Sequence, residues 1–78
     1  MRSPIVVPDL GDVPLVVSVW YVKPGEAVYE GDRVVELLLG SATFDIAAPC
    51  SGTLDEQTAR PDDRVTAGQV VGHIAPPV

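Results

Sequence analysis

Seventy-eight residues with a formal net charge of −6 and a pI near 4.3 describe one small acidic domain at most. The acidic balance argues against nucleic acid and anionic membrane as partners, since both select basic surfaces, and leaves a basic patch on another protein as the reasonable complement. At 46% hydrophobic residues the composition is that of a folded chain, but one this short buries only about 60% of its unfolded surface, enough for a thin core and too little for a deep catalytic cleft.

Taken in order, Ile5 to Val7 is a short apolar run stopped by Pro8, as an edge strand would be. Asp9-Leu10-Gly11-Asp12 is turn chemistry. Val13 to Val22 is rich in Val, Trp and Tyr and reads as strand, with Pro14 suited to an edge or a strand entry. Lys23-Pro24-Gly25-Glu26 and Tyr29-Glu30-Gly31-Asp32 are turns. Arg33 to Leu39 and Ala42 to Ala48 are strands joined by Gly40-Ser41. Pro49 to Gly52 turns the chain, Thr53 to Glu56 resumes it, Pro61-Asp62-Asp63 turns it again, and Val70 to Ala75 is the last strand. Pro76, Pro77 and Val78 read as the start of an extended linker after a domain spanning 1–75. No segment carries helical periodicity, so the chain is expected to be all-β.

The centre of the sequence is the stretch from Val35 to Ile46. Glycine at the first central position of a two-residue loop suits a type II′ hairpin turn. Such a turn fixes the pairing: Leu39 faces Ala42, Leu37 faces Phe44 and Val35 faces Ile46 on one side, which reads as buried. Leu38 faces Thr43 and Glu36 faces Asp45 on the other, which reads as solvent.

An internal repeat surrounds this hairpin. Lys23 to Val34 resembles Arg60 to Val71, with Pro24 matching Pro61, Val28 matching Val65, Gly31 matching Gly68 and Val34 matching Val71; Leu37 and Ile74 extend the register. Each unit is a turn, a short strand, a glycine turn and a strand, which cannot bury its apolar face alone. Two units face to face give a flattened barrel or sandwich with approximate two-fold symmetry.

From Val7-Pro8-Asp9-Leu10-Gly11 to Ile74 the chain resembles a lipoyl domain, the carrier module of 2-oxo acid dehydrogenase complexes. Val19 to Gly25 is similar to that family's first strand and loop. Glu30-Gly31-Asp32 and Ala48-Pro49-Cys50-Ser51-Gly52 fall where it has its E-G-D and A-P-x-x-G segments. The resemblance implies a barrel-sandwich hybrid of two small antiparallel sheets with quasi-two-fold symmetry, the hairpin tip at one end and both termini at the other. In the family a D-K-A tripeptide occupies the tip, and its lysine receives the lipoyl group. Here the tip reads Gly40-Ser41-Ala42. The resemblance therefore implies the fold, while the attachment lysine is replaced by Ser41 and no lipoate is expected.

The remaining candidates are few. Ser41 is a short hydroxyl with no histidine or lysine nearby in sequence to activate it. Lys23, the one lysine, belongs to a turn whose repeat counterpart is Arg60. His73 lies in a strand without partners at metal-ligand spacing, and no metal site is expected. Cys50 reads as a small packed side chain in a crossover, and as a lone cysteine it excludes an intrachain disulfide. No nucleophile triad, phosphate loop or carboxylate pair stands out, so no enzyme is expected. Leu38 and Leu39 place apolar surface beside the tip, read either as ordinary exposed leucine or as a partner-contact patch.

The resulting expectation is a non-catalytic interaction or spacer module related to 2-oxo acid dehydrogenase acyltransferase subunits, monomeric in isolation, with protein partners from such a complex. The N-terminus lacks a signal-peptide stretch and no apolar run approaches the ~20 residues of a membrane span, which makes the cytoplasm the default. The alternatives are a carrier modified at an unexpected residue, or a structural adaptor domain as in membrane-fusion proteins.

Overall fold

Alternating apolar residues and Gly/Pro turns produce strands throughout. The computed structural model describes residues 1–77. Among them are β1 (Ser3–Val6), β2 (Leu15–Trp20), β3 (Ala27–Val28), β4 (Arg33–Leu39), β5 (Ala42–Ala47), β6 (Gly52–Gln57), β7 (Arg64–Val65) and β8 (Val70–Ala75). They form two four-stranded antiparallel sheets, ordered β1-β8-β6-β3 and β5-β4-β2-β7. The all-β sandwich expected from the sequence is therefore present. Pro14 stands immediately ahead of β2, an interior strand, so it marks a strand entry rather than an edge. The final strand ends at Ala75 as expected; the linker expected at 76–78 includes Val78, which lies outside the described residues.

The repeat read in the sequence governs the hydrogen bonding. The Lys23 N–H donates to Glu26 Oε1 at 2.7 Å, and 37 positions on the Arg60 N–H donates to Asp63 Oδ2 at 2.9 Å. The Tyr29 N–H meets Asp32 Oδ2 as the Thr66 N–H meets Gln69 Oε1. Gly25 N–H donates to the Leu54 carbonyl, and Asp62 N–H to the Val17 carbonyl. Even two unlike side chains obey the symmetry: Trp20 Nε1 donates to the Ala59 carbonyl at 2.9 Å, and Gln57 Nε2 to the Val22 carbonyl at 3.1 Å. Each side-chain bond satisfies a turn donor or a carbonyl that would otherwise face solvent alone or be lost to burial.

The symmetry singles out one residue. Gly25 has φ 94°, and its counterpart Asp62 has φ 74°, the one described non-glycine in the left-handed region. A Cβ there costs about 1–2 kcal/mol, partly offset by the extra unfolded-state freedom of glycine, about 0.5–1 kcal/mol. Asp62→Gly should therefore raise stability by about 0.5–1 kcal/mol, read as a higher urea midpoint at unchanged slope. A lower midpoint would mean that the Asp62 side chain contributes more than its backbone strain costs.

The two sheets enclose a core in which Val17, Val34, Leu37 and Val35 of one sheet meet Leu54, Val71, Ile74 and Ile5 of the other, all fully buried. Consecutive Val34 and Val35 are both interior because the β4–β5 register shifts between Arg33 and Val35, and a bulge turns two neighbouring side chains to the same face. Cys50 packs half-buried against this core.

Expectations of burial are corrected toward the tip, where Ala42 is exposed and Leu39 only partly buried. Phe44 pairs with Leu37 as the turn requires, yet it is 38% exposed while Leu37 is at 0%. β5 is an edge strand, and its pairing with the chain that enters β4 continues past Ala47. There the Ala48 N–H donates to the Asp32 carbonyl and the Gly31 N–H to the Ala48 carbonyl. Ile46, nearer that end, is buried, whereas Phe44, nearer the tip, is not. Facing the inner side of an edge strand does not by itself bury a residue.

Candidate functional site

The β4–β5 hairpin projects from one end of the sandwich. Its register is the one the two-residue loop dictates, Leu39 with Ala42, Leu38 with Thr43, Leu37 with Phe44, Glu36 with Asp45 and Val35 with Ile46. Gly40 takes φ 67° at the first loop position, where any Cβ would be strained although nothing lies within 4 Å to obstruct it. Gly40, Ser41 and Ala42 are all exposed. From Leu37 to Phe44 no side chain is ionisable, so the hairpin's own tip residues supply a hydroxyl and no base. Lys23 lies in a different turn, whose neighbours Gly25 and Glu26 bond to Leu54 in the other sheet.

Strand pairing brings a row of side chains across the outer face next to the tip: Arg64, Val16, Leu38 and Thr43. Leu38 is 38% exposed, half-open rather than largely so, because Val16 and Thr43 flank it in the row. Leu39 is partly buried against the core. With Phe44, the two leucines form an apolar collar below the uncharged tip.

Behind the collar lies a polar cluster that the sequence reading did not assemble. Glu36 and Asp45 stand directly opposite one another, a like-charge pair that repels. Tyr21 relieves it: its hydroxyl lies 3.0 Å from both Glu36 Oε2 and Asp45 Oδ1, sharing one proton between them. Arg33 adds a contact of 3.4 Å to Asp45 Oδ2 and lies over the Tyr21 ring at 5.1 Å. Because the phenolate would be partly desolvated, and would face the two carboxylates that now accept its proton, the Tyr21 pKa is pushed up to about 12. A pKa raised on folding favours the protonated native state, so this contribution is fully present below pH 10 and disappears as pH rises through about 12. Tyr21→Phe should flatten the loss of stability between those limits, and an ultraviolet titration of Tyr29→Phe should show the remaining tyrosine ionising near pH 12. Ionisation near pH 10 would contradict the shared hydrogen bond.

A second feature adjoins the tip. Leu15 pairs with Val65 one register step beyond the Val16–Leu38 pair, so the Asp9–Leu15 segment leads into β2 at the tip end of β4. This segment and Arg64 to Ala67 enclose an open cleft of about 620 Å³. Asp9 Oδ1 accepts the Gly11 N–H at 3.0 Å, the turn role read from the sequence. A smaller cleft of about 230 Å³, lined by Ala27 to Tyr29 and Ser51 to Thr53, occupies the symmetry-related position at the other end. The signal was available in the sequence: seven residues separate Val7 from Leu15, but only three separate Ala48 from Gly52. The excess over the symmetric minimum builds the larger cleft.

The other sequence candidates are scattered. His73 sits in β8 on the opposite sheet, with Nδ1 buried 3.3 Å from Glu56 Oε1, across a pair that strand register creates. Cys50 is in the connection from β5 to β6. Ser41, Lys23, His73 and Cys50 are not brought together. Among the described residues no helix is long and apolar enough to cross a membrane.

Comparison with known proteins agrees with this geometry. The model of the biotin/lipoyl family, described as biotin-requiring enzyme, matches residues 3–74. The dihydrolipoyllysine-residue succinyltransferase component of the 2-oxoglutarate dehydrogenase complex from Rickettsia typhi is 32% identical over 76 residues, covering 95% of this chain and 19% of the relative. Its counterpart from Escherichia coli K12 is 31% identical over 72 residues, covering 90% of this chain and 18% of the relative. The chain thus spans about a fifth of the length of these relatives. The solution structure of the lipoyl domain of the 2-oxoglutarate dehydrogenase complex from Azotobacter vinelandii superimposes with a TM-score of 0.70 at 23% identity, covering 100% of this chain and 96% of that one. With its two symmetric four-stranded sheets, projecting hairpin and family match over nearly its whole length, the chain belongs to the biotin/lipoyl attachment domain family, as a lipoyl domain related to 2-oxoglutarate dehydrogenase acyltransferase components.

Proposed function

We propose that this is a lipoyl-type domain that carries no lipoyl group and acts through protein contact at its hairpin end, as a non-catalytic interaction or spacer module. The observation that carries the reading is the chemistry of the tip. An amide-linked prosthetic group needs an amine at the end of a rigid hairpin, and at that position stands Ser41, exposed and in a run from Leu37 to Phe44 without an ionisable side chain. Lys23 belongs to another turn. The residues present therefore do not fit the group that the family carries, and no acyl-transfer step runs through this chain.

What the tip offers instead is an uncharged knob, with Leu38, Leu39 and Phe44 beneath it, on a domain of net charge −6. Such a surface fits a protein partner that presents an apolar depression with a basic rim, rather than nucleic acid or anionic lipid. Components of a 2-oxo acid dehydrogenase complex are the natural class, because the relatives are named as parts of one.

The test is the intact mass of the wild-type chain after incubation with a lipoate ligase, lipoate and ATP. No added lipoyl group is expected. A mass gain would overturn the reading, and repeating the reaction on Lys23→Arg would show whether the one lysine had taken the group.

A further inference from the structure

The sandwich has four strand edges, and three of them are blunted. β3 and β7 are two residues long, and β1 carries Pro4, which has no N–H to offer a further strand. β5 is different. It is six residues long, has neither proline nor lysine, and pairs on one side only, with β4. Its single charge, Asp45, is drawn back onto its own sheet by Tyr21 and Arg33 and so guards the edge poorly.

The hairpin register says which groups that edge presents. In a two-residue hairpin the closing pair, Leu39 with Ala42, exchanges hydrogen bonds, and alternate pairs repeat the pattern. Ala42, Phe44 and Ile46 therefore turn their backbone groups toward β4, while Thr43 and Asp45 turn theirs outward. This edge is self-complementary. An antiparallel copy centred on Phe44 sets Thr43 against Asp45 of the partner subunit and Asp45 against Thr43 of the partner subunit. Both are hydrogen-bonded pairs built from the outward groups. Hydroxyl then meets carboxylate on the outer face, rather than carboxylate meeting carboxylate. On the inner face the two half-exposed Phe44 rings meet at the axis, in a non-hydrogen-bonded pair where side chains approach most closely.

We infer that β5 is a self-association edge, joining two copies of this chain by a two-fold antiparallel ladder centred on Phe44. This departs from the monomer expected from the sequence. The contact is one strand wide, which places it in the weak class, and each copy carries a net charge of −6, so association strengthens as salt screens the repulsion.

Sedimentation of the 78-residue chain tests it. The wild type should shift from monomer toward dimer between about 20 μM and about 1 mM, more strongly in about 0.5 M NaCl than in about 0.05 M. Thr43→Pro removes an outward N–H and leaves the β4 ladder intact, so it should remain monomeric. A second arm fixes the register in a Cys50→Ser background. Phe44→Cys should oxidise to a disulfide-linked dimer at least several-fold faster than Ala42→Cys, because Ala42 lies opposite Ile46 of the partner subunit and not opposite itself. A wild type that stays monomeric at about 1 mM in high salt overturns the inference. So does equal cross-linking of the two cysteine variants, which also covers the case in which Thr43→Pro fails to fold.

Discussion

Ser41→Lys should convert a chain that lipoate ligase leaves unmodified into one that gains a lipoyl group. The substitution places an amine on the exposed second residue of a loop whose flanking strands are paired from Leu39–Ala42 back to Val35–Ile46. It touches no core residue and alters no ladder hydrogen bond. The expected gain therefore rests on the amine alone. Adding Gly40→Asp rebuilds the Asp-Lys-Ala tripeptide of the family and should raise the modified fraction. Its cost is torsional, about 1–2 kcal/mol at φ 67°, since no atom lies within 4 Å of the new Cβ. Intact-mass spectrometry of the wild type, the single and the double variant decides the matter. A folded double variant that stays unmodified would show that Leu38 and Leu39 have altered the ligase-docking surface as well as the lysine.

Neighbouring leucines on β4 should behave very differently. Leu37→Ala removes a side chain that is 0% exposed and packed between the sheets, at a cost of about 3 kcal/mol. A 78-residue domain has roughly 4–12 kcal/mol in total, so the thermal midpoint should fall by more than about 10 °C. Leu38→Ala deletes a side chain on the open outer face and should cost less than about 1 kcal/mol while weakening any contact made by the tip. Thermal melts of the two variants check this directly. Comparable losses would mean that Leu38 contributes to the fold through Val16 and Thr43, and that the apolar collar is structural.

Much of the molecule was legible in one dimension because it rests on local rules. Gly40 at the head of a two-residue loop determined the hairpin register from Leu39–Ala42 to Val35–Ile46, since a two-residue turn leaves strand pairing no freedom. Paired prolines, glycines and valines 37 positions apart announced two equivalent units, and the side-chain hydrogen bonds of both turns follow them. Proximity between distant segments and the extent of the opposite layer were not legible in this way. Tyr21 joins Glu36 and Asp45 only because β2, β4 and β5 lie side by side, and the Asp9–Leu15 cleft exists only because β7 pairs with the start of β2. Phe44 faces the interior side by alternation, yet is left 38% exposed on a strand that pairs on one side only. Period-two patterning chooses the side of a strand; burial also requires something on that side, and only the packing of the two sheets decides where their overlap ends.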